Sequence, residues 1–288
     1  MGAASITLVL AALAAVVFLV LSLGLVWMRQ ERIVFQPPPP PGDASLAHCR
    51  ARFAAADGQE LLAYVIGEAR GAPGVLVAFH GNADLAVWQA EWAEEIVRRT
   101  GWCVMLAEYR GYGGLGGAPT YVASRLDARA AWDHARQRLG ASPGAPPARM
   151  ALYGHSLGSA IAAELASEVK PDVLILQAPF TSARDMARIF VSGMAHRAWR
   201  LISRVHFDTE SRVRALDVPV WVSHGTRDFV VPVRMGKRVF EAAAVKGELL
   251  LVPGAGHNDV AAVAGAAYWG WIAAALGAAP ATAAASSE

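Results

Sequence analysis

Hydrophobic positions in the middle of this chain follow two different periods. Short, almost fully apolar runs predict buried strands; they occupy residues 61–66, 75–79, 102–107, 150–153, 173–176, 218–222 and 249–252. Longer stretches with apolar residues three to five positions apart predict helices; they occupy residues 85–99, 121–139, 159–169 and 234–244. Apolar strands that alternate with helices predict an α/β fold, in which helices cover both faces of a mostly parallel sheet.

The N-terminal segment has a different pattern, because it carries no charged side chain before Arg29. Residues 6–27 are almost purely aliphatic, and as a helix they would span about 33 Å, enough to cross a bilayer core. Trp27 stands at the expected membrane interface, and Arg29 and Arg32 mark the return to water. A cleaved signal peptide and a buried core helix are the alternatives. The length of the run and the lack of a preceding Lys or Arg favour a retained anchor.

These patterns predict four regions along the chain. Residues 1–28 form a transmembrane anchor, residues 29–48 a proline-rich linker, residues 49–277 a single α/β domain and residues 278–288 a disordered tail. The five prolines at 37–41 favour a stiff polyproline II spacer. The positive-inside rule, applied to Arg29 and Arg32, gives the hypothesis that the domain lies in the cytoplasm.

Composition narrows the possible functions of the 288 residues. The net charge is +2 and charged residues make up 17% of the chain, without a Lys/Arg-rich run, so a nucleic-acid partner is not expected. Of the two cysteines, Cys103 lies in an apolar run and is interpreted as a buried free thiol, although a disulfide to Cys49 stays open. No CxxC pair supports a thiolate zinc site.

The strongest chemical signal is the segment Gly154-His155-Ser156-Leu157-Gly158. It fits the G-x-S-x-G nucleophile elbow, in which a tight strand-to-helix turn presents a serine hydroxyl. A predicted strand precedes the segment and an alanine-rich helix follows it, as the motif requires. A side chain at either glycine would collide with a neighbouring strand or helix. Ser156 is therefore the candidate nucleophile.

A serine hydroxyl needs a base, and in this kind of site the partners follow in the order Ser, Asp or Glu, His. Asp228 follows the strand predicted at 218–222, and His257 follows the strand predicted at 249–252. Ligands and reactive groups gather at these carboxyl ends in open α/β sheets. We therefore assign His257 as general base and acid and Asp228 as the group that orients it. A loop acid and a solvated histidine are the alternative interpretations.

An oxyanion needs two backbone N–H donors. The first is expected from Leu157, directly after the nucleophile. The second is expected from the loop after the strand at 75–79, where Asn82 is the candidate and Ala83 its neighbour. The remaining candidates are interpreted as bystanders. Three histidines are taken as structural, and two acids as too close to His257 or at the wrong end of a strand: His80, His155, His224, Asp259 and Asp217.

One further motif, G-x-G-x-x-G at 111–116, raises the question of a dinucleotide site. Pro119 interrupts the helix that would have to begin there, and Glu108 crowds the strand end where a phosphate turn belongs. Neither an organic cofactor nor a metal is therefore expected.

Six segments together resemble the α/β-hydrolase superfamily: HGNAD, EYRGYGG, GHSLGSA, APFTSARDMA, HGTRDFVVP and GAGHND. They look most like its N-terminally anchored branch, which includes protein depalmitoylases and lyso- or monoacyl-lipid hydrolases, and the likeness covers about residues 50–275. By this resemblance Ser156, Asp228 and His257 match the triad, and Leu157 and Asn82 match the oxyanion positions. Glu108 departs from the pattern, since relatives usually carry Asp there at a position thought to be structural.

The expected reaction is hydrolysis of an ester or thioester through an acyl-enzyme, on an acyl-lipid or amphiphilic small molecule taken from the bilayer. Residues 180–207 could form a helical cap over an acyl pocket or simply pack on the sheet. A serine aminopeptidase would use the same triad with a carboxylate for the substrate amine, for which Glu108 is a candidate. A catalytically idle hydrolase fold that serves as an interaction module is a third hypothesis. The oligomeric state is left open.

Overall fold

In a computed structural model, which describes residues 2–40, 46–139, 149–190 and 203–277, eight strands form one sheet. The strands are β1 (Arg50–Ala54), β2 (Glu60–Ile66), β3 (Gly74–Phe79), β4 (Cys103–Ala107), β5 (Arg149–His155), β6 (Val173–Gln177), β7 (Val220–Gly225) and β8 (Lys246–Val252). Their order is β1-β2-β4-β3-β5-β6-β7-β8. The pairs β1–β2 and β2–β4 are antiparallel and all others are parallel. This is the mostly parallel α/β sheet that the sequence predicts.

Helices connect the strands and cover the sheet. They are α1 (Ala3–Val34), α2 (Ala90–Thr100), α3 (Tyr121–His134), α4 (Leu157–Val169), α5 (Ala183–Phe190), α6 (Thr209–Ala215), α7 (Val233–Ala242), α8 (Val260–Ala264) and α9 (Ala266–Ala275). α2 packs against α9, and α3, α4, α6 and α7 pack side by side. Every residue of β3, β4 and β6 is buried. Burial on both faces explains why these strands are apolar without alternation.

The connections place a topological switch point at the middle of the sheet, where a crevice is expected. From β3 the chain moves to β4 on one side and then returns to β5 on the other side. Loops after β3 and β5 therefore separate at their carboxyl ends, which is where open α/β sheets bind ligands. The predicted nucleophile and the predicted oxyanion loop follow these two strands.

The N-terminal helix is longer than the sequence predicts. The anchor is expected to end at residue 28, but α1 continues to Val34, so the first residues of the predicted linker are helical. Residues 29–34 contain no helix breaker, and the helix stops shortly before Pro37, which cannot donate a backbone hydrogen bond. Its segment Leu10–Val34, with a mean hydropathy of 2.6, is long and apolar enough to cross a membrane by length and composition.

Other boundaries differ by small amounts, and some predictions cannot be compared. The strand β1 was not predicted, β7 is shifted by two or three residues from the predicted run, and β8 begins three residues before its predicted run and ends with it. Cys49 and Cys103 are both free and Cys103 is buried, as expected, so the alternative of a disulfide between them is not realised in the described residues. The predicted tail at 278–288 and the centre of the possible cap, residues 191–202, lie outside the described residues.

Candidate active site

The turn between β5 and α4 has the strained geometry that the sequence motif implies. Ser156 stands between the two elements with φ 51° and ψ −114°, a backbone conformation that non-glycine residues rarely adopt. A Cβ atom at Gly154 would overlap the backbone of Gly158, and one at Gly158 would overlap the carbonyl group of Phe79. Both positions therefore require glycine, and the close approach of α4 to β3 depends on them.

Three predicted side chains from three different loops form one hydrogen-bonded row. Ser156 Oγ lies 2.9 Å from His257 Nε2, and His257 Nδ1 lies 2.7 Å from Asp228 Oδ2. The serine follows β5, the aspartate follows β7 and the histidine follows β8. Distances below 3 Å allow a proton to pass from the hydroxyl to the imidazole while the carboxylate holds the opposite N–H.

The carboxylate of Asp228 is held in its ionised form. The N–H groups of Val230 and Val231 donate to Oδ1, each at 2.8 Å, and His224 Nε2 lies 3.2 Å from Oδ2. Burial alone would raise the pKa of this carboxyl, but the hydrogen bonds from His224 and His257 outweigh it and lower the pKa below its ordinary value. His224 Nε2 also donates to the Val231 carbonyl at 2.9 Å, which defines its tautomer.

His155 contacts His257 through a hydrogen bond and through its ring. Its Nε2 donates to the His257 carbonyl at 3.1 Å, and the two rings lie with centroids 5.0 Å apart. Burial, together with the neighbouring His257, lowers the pKa of His155 to about 4, so the ring is neutral near pH 7. With the proton on Nε2, the unprotonated Nδ1 faces Gly81 of the oxyanion loop.

The two predicted oxyanion donors lie in segments that flank the crevice. Leu157 begins α4, and Asn82 follows Gly81, where an added Cβ atom would lie 3.6 Å from the Ser156 Cβ. Within the described residues, the backbone N–H groups of Leu157 and Asn82 have no hydrogen-bond partner. They are therefore free to receive a negatively charged oxygen. Ala83 adopts a left-handed conformation with φ 51°, so the loop turns sharply after Asn82.

The side chain of Asn82 binds the end of the N-terminal helix. Its Nδ2 donates to the Val34 carbonyl at 2.6 Å, and its Oδ1 accepts from the Gln36 N–H at 2.9 Å and from the Tyr112 hydroxyl at 2.8 Å. The sequence did not suggest this contact, because it joins residues 46 and 48 positions apart. It connects the predicted oxyanion loop directly to α1.

A buried ion pair supports the same loop from the other side. His80 Nε2 lies 2.8 Å from Glu108 Oε1, and His80 Nδ1 lies 2.8 Å from the Gly81 carbonyl. Burial would lower the pKa of His80, but the charge and hydrogen bond of Glu108 outweigh it and raise the pKa. Both ring nitrogens face acceptors, so His80 is an imidazolium that donates to both.

The position of Glu108 corrects one expectation from the sequence. A carboxylate that holds a substrate amine must reach the crevice, whereas the Glu108 side chain is fully buried. Its second oxygen accepts from the Ala86 N–H at 3.1 Å. Glu108 is thus committed to the protein interior, as expected for a structural position. Asp259 and Asp217 are also engaged elsewhere, with the Gly256 N–H and with Lys170.

Known proteins and a family model resemble this chain in sequence. Residues 71–210 match the family model described as serine aminopeptidase, S33. An uncharacterized protein of Mycobacterium tuberculosis is 34% identical over 243 residues, which cover 81% of this chain and 82% of that protein. The chain belongs to the α/β-hydrolase superfamily.

Within this superfamily the chain is related to lipid hydrolases. The lysophosphatidylserine lipase ABHD12 of Danio rerio is 28% identical over 186 residues, which cover 59% of this hydrolase and 47% of the lipase. An esterase of Pyrococcus furiosus superposes with a TM-score of 0.66 over 84% of this chain and 98% of that chain, at 18% identity. The likeness to the esterase concerns the fold alone. Together the relatives support an esterase- or lipase-like hydrolase with a small-molecule ester or lipid substrate.

Proposed function

We propose that this hydrolase is a membrane-anchored serine esterase that cleaves carboxylic ester or thioester bonds of acyl-lipids or other amphiphiles. The observation that carries the proposal is the continuous row from Ser156 through His257 to Asp228, with separations of 2.9 and 2.7 Å. A buried, ionised carboxylate behind the imidazole favours the tautomer that accepts the serine proton.

The proposed reaction has two steps. Ser156 Oγ attacks the carbonyl carbon while His257 Nε2 takes its proton, and the backbone N–H groups of Leu157 and Asn82 stabilise the negative oxygen of the tetrahedral intermediate. His257 then protonates the leaving alcohol or thiol, and an acyl-enzyme remains. Water attacks the acyl carbon with His257 as base, and the acid is released as Ser156 regains its proton.

The proposed anchor is α1. Its apolar window carries no buried residue, and large side chains along it are exposed, among them Phe18, with 73% of its surface accessible. An exposed apolar helix of this length is most simply stabilised by lipid. We retain residues 1–28 as the proposed anchor core, with residues 29–34 as its helical extension and residues 49–277 as the catalytic domain. The cytoplasmic side remains the proposed location, which protease protection of the domain in sealed vesicles would test.

The decisive experiment is labelling of the membrane fraction with a fluorophosphonate probe. The wild type is expected to be labelled and Ser156→Ala to be unlabelled. Ser167→Ala is a matched control, since Ser167 lies on the same helix and its hydroxyl only contacts the Glu164 carbonyl. A folded wild type that resists the probe would contradict the proposal and favour the idle interaction module.

The family model's description keeps an aminopeptidase as the second candidate. The buried position of Glu108 argues against an aminopeptidase, because the carboxylate that was the candidate for binding the substrate amine is not accessible. Comparison of p-nitrophenyl butyrate with aminoacyl p-nitroanilides separates the two functions. We expect hydrolysis of the ester and none of the aminoacyl amide.

A further inference from the structure

Exposed large apolar side chains of the described domain lie mostly in segments that follow the carboxyl ends of the strands. Phe229 is 93% exposed, Val122 64% and Trp88 55%. Val230, Val263 and Ile189 complete the group, which we call the apolar rim. Exposed apolar residues that gather at one end of a fold mark a candidate interaction site, whereas single scattered ones do not.

The apolar rim has a defined place in the fold. Its members lie in the segments that follow the carboxyl ends of strands: Trp88 after β3, Val122 at the start of α3 after β4, Ile189 on α5 after β6, Phe229 and Val230 after β7, and Val263 on α8 after β8. In the described domain, the exposed valine that lies elsewhere is Val245, at the amino end of β8. Since β7 and β8 are parallel, Val245 is at the opposite end of the sheet.

The end of α1 meets the domain at the same rim. Glu31 Oε1 accepts from the Tyr121 N–H at 3.4 Å, one residue before Val122, and the Arg204 N–H donates to Gln30 Oε1 at 2.6 Å. The Arg204 guanidinium also lies 4.9 Å from the centre of the Trp27 ring. These contacts, with those of Asn82, bring the helix that leads into the bilayer to the carboxyl ends of the strands.

The charges around the rim also suit a membrane surface. The pair Phe229–Val230 is flanked by Arg227 and Arg234, both exposed, so an apolar tip stands between two cations. A loop of this composition can insert its apolar residues among acyl chains while its arginines contact lipid phosphates.

We propose that the apolar rim is a docking surface for the lipid leaflet in which α1 is embedded, so that the crevice opens toward the bilayer. The proposal rests on the proposed function only for the membrane insertion of α1. An acyl chain would then pass from the leaflet to Ser156 without crossing water, and substrates would be drawn from lipids that reside in that membrane.

The test measures the depth of single positions in the full chain, reconstituted as one copy per nanodisc of phosphatidylcholine and phosphatidylglycerol. Phe229→Cys, Val263→Cys and the matched control Val245→Cys are each made with Cys49→Ser and labelled with an environment-sensitive fluorophore. Lipids with a quencher on the acyl chain are then added. We expect at least about twofold quenching and a blue-shifted emission at 229 and 263, and neither effect at 245.

Each other result overturns the proposal. Equal emission and quenching at all three positions would mean that the rim has no preferred contact with lipid. A blue shift at 229 and 263 without lipid quenching would mean that protein covers the rim, and the single copy per disc limits that protein to this chain. Because the measurement needs no catalysis, it stands apart from fluorophosphonate labelling of Ser156, which tests the proposed function.

A functional comparison adds a second readout. The double variant Phe229→Ser with Val263→Ser is expected to hydrolyse a long-chain ester embedded in vesicles of the same lipids about tenfold more slowly than Val245→Ser does. The ratio of this rate to that of fluorophosphonate labelling corrects for any change at the active site. An unchanged ratio would contradict docking through the rim.

Discussion

The substitution Asn82→Ala tests the role of the Asn82 side chain independently of the role of its backbone N–H. The substitution keeps the backbone N–H that is proposed to stabilise the oxyanion. It removes the three hydrogen bonds to Val34, Gln36 and Tyr112, with lengths of 2.6, 2.9 and 2.8 Å. At about 1 kcal/mol for each bond, the loop loses about 3 kcal/mol of support in its observed conformation.

The size of the expected effect follows from two limits. Complete loss of one oxyanion donor costs about 10²–10³ in kcat, which sets the upper limit. The left-handed backbone of Ala83 costs about 1 kcal/mol and favours relaxation of the loop once the support is removed. We therefore expect kcat to fall about 10- to 100-fold, with KM within about twofold of the wild type.

The assay is hydrolysis of p-nitrophenyl butyrate by the full chain in detergent, with the rate of fluorophosphonate labelling as a second readout. A pair of variants at Gln36 tests the same bond from the side of α1. Both variants lose the Gln36 side chain, whose Nε2 donates to the Ile33 carbonyl. Gln36→Pro also loses the N–H that donates to Asn82, about 1 kcal/mol or fivefold in kcat, whereas Gln36→Ala keeps it. Phe35 is extended, with φ −98° and ψ 117°, which is the conformation that a residue before proline prefers, so proline is tolerated at position 36.

Two results would refute the reasoning. If kcat of Asn82→Ala stays within twofold of the wild type while the protein is folded, the side chain does not position the loop. If Gln36→Pro and Gln36→Ala behave alike, the end of α1 has no influence on catalysis through this bond. A thermal unfolding curve for each variant separates a local effect on kcat from global loss of the fold.

Three further predictions concern other parts of the molecule. Asp228→Asn should lower kcat about 10⁴-fold by favouring the wrong tautomer of His257. Because the pKa of Asp228 is lowered in the folded protein, the ionised carboxylate stabilises the fold fully above the unfolded pKa of about 4, and this stabilisation is lost as the pH falls through the folded pKa. In urea unfolding, the variant should therefore lose less of its unfolding free energy below pH 4 than the wild type does. Gly158→Ala should give little folded protein by circular dichroism, because its Cβ would overlap the end of β3. Native protein at pH 8 should react with a maleimide at half-buried Cys49 and not at Cys103, whose pKa burial raises to about 11, and mass spectrometry of the modified peptides checks this.

The sequence predicts those elements best whose environment is uniform. The strands β3, β4 and β6 were located to within one or two residues, because burial on both faces leaves an unbroken apolar run between turn residues. β1 was not predicted because its first four residues alternate between charged and apolar, and because the strand is partly exposed and pairs with β2 alone. A short edge strand of this kind is stabilised by pairing with its neighbour, which the sequence of the strand itself does not reveal.

In the candidate site too, features set by a local sequence pattern could be predicted and features set by distant contacts could not. The row of Ser156, His257 and Asp228 could be proposed because each residue follows a recognisable strand within a few positions. The supporting contacts of Asn82 and His224 could not, since they depend on the path of α1 and on the shape of the loop after β7. His224 did offer one signal: it lies near the carboxyl end of β7, four residues before Asp228, and the loop between them must fold back on itself.

Glu108, where the resemblance leads us to expect Asp, supports the proposed oxyanion loop. Glu108 reaches from the end of β4 to His80 at 2.8 Å and to the Ala86 N–H at 3.1 Å, so one carboxylate holds both the start of the loop and the segment after it. An aspartate is one methylene shorter and could not span both contacts from the same backbone position. The loop is therefore held on one side by a buried ion pair and on the other by Asn82 at the end of α1. A loop held in this way has little freedom to relax the left-handed turn at Ala83, so the proposed oxyanion donor at Asn82 would be held in place before substrate binds.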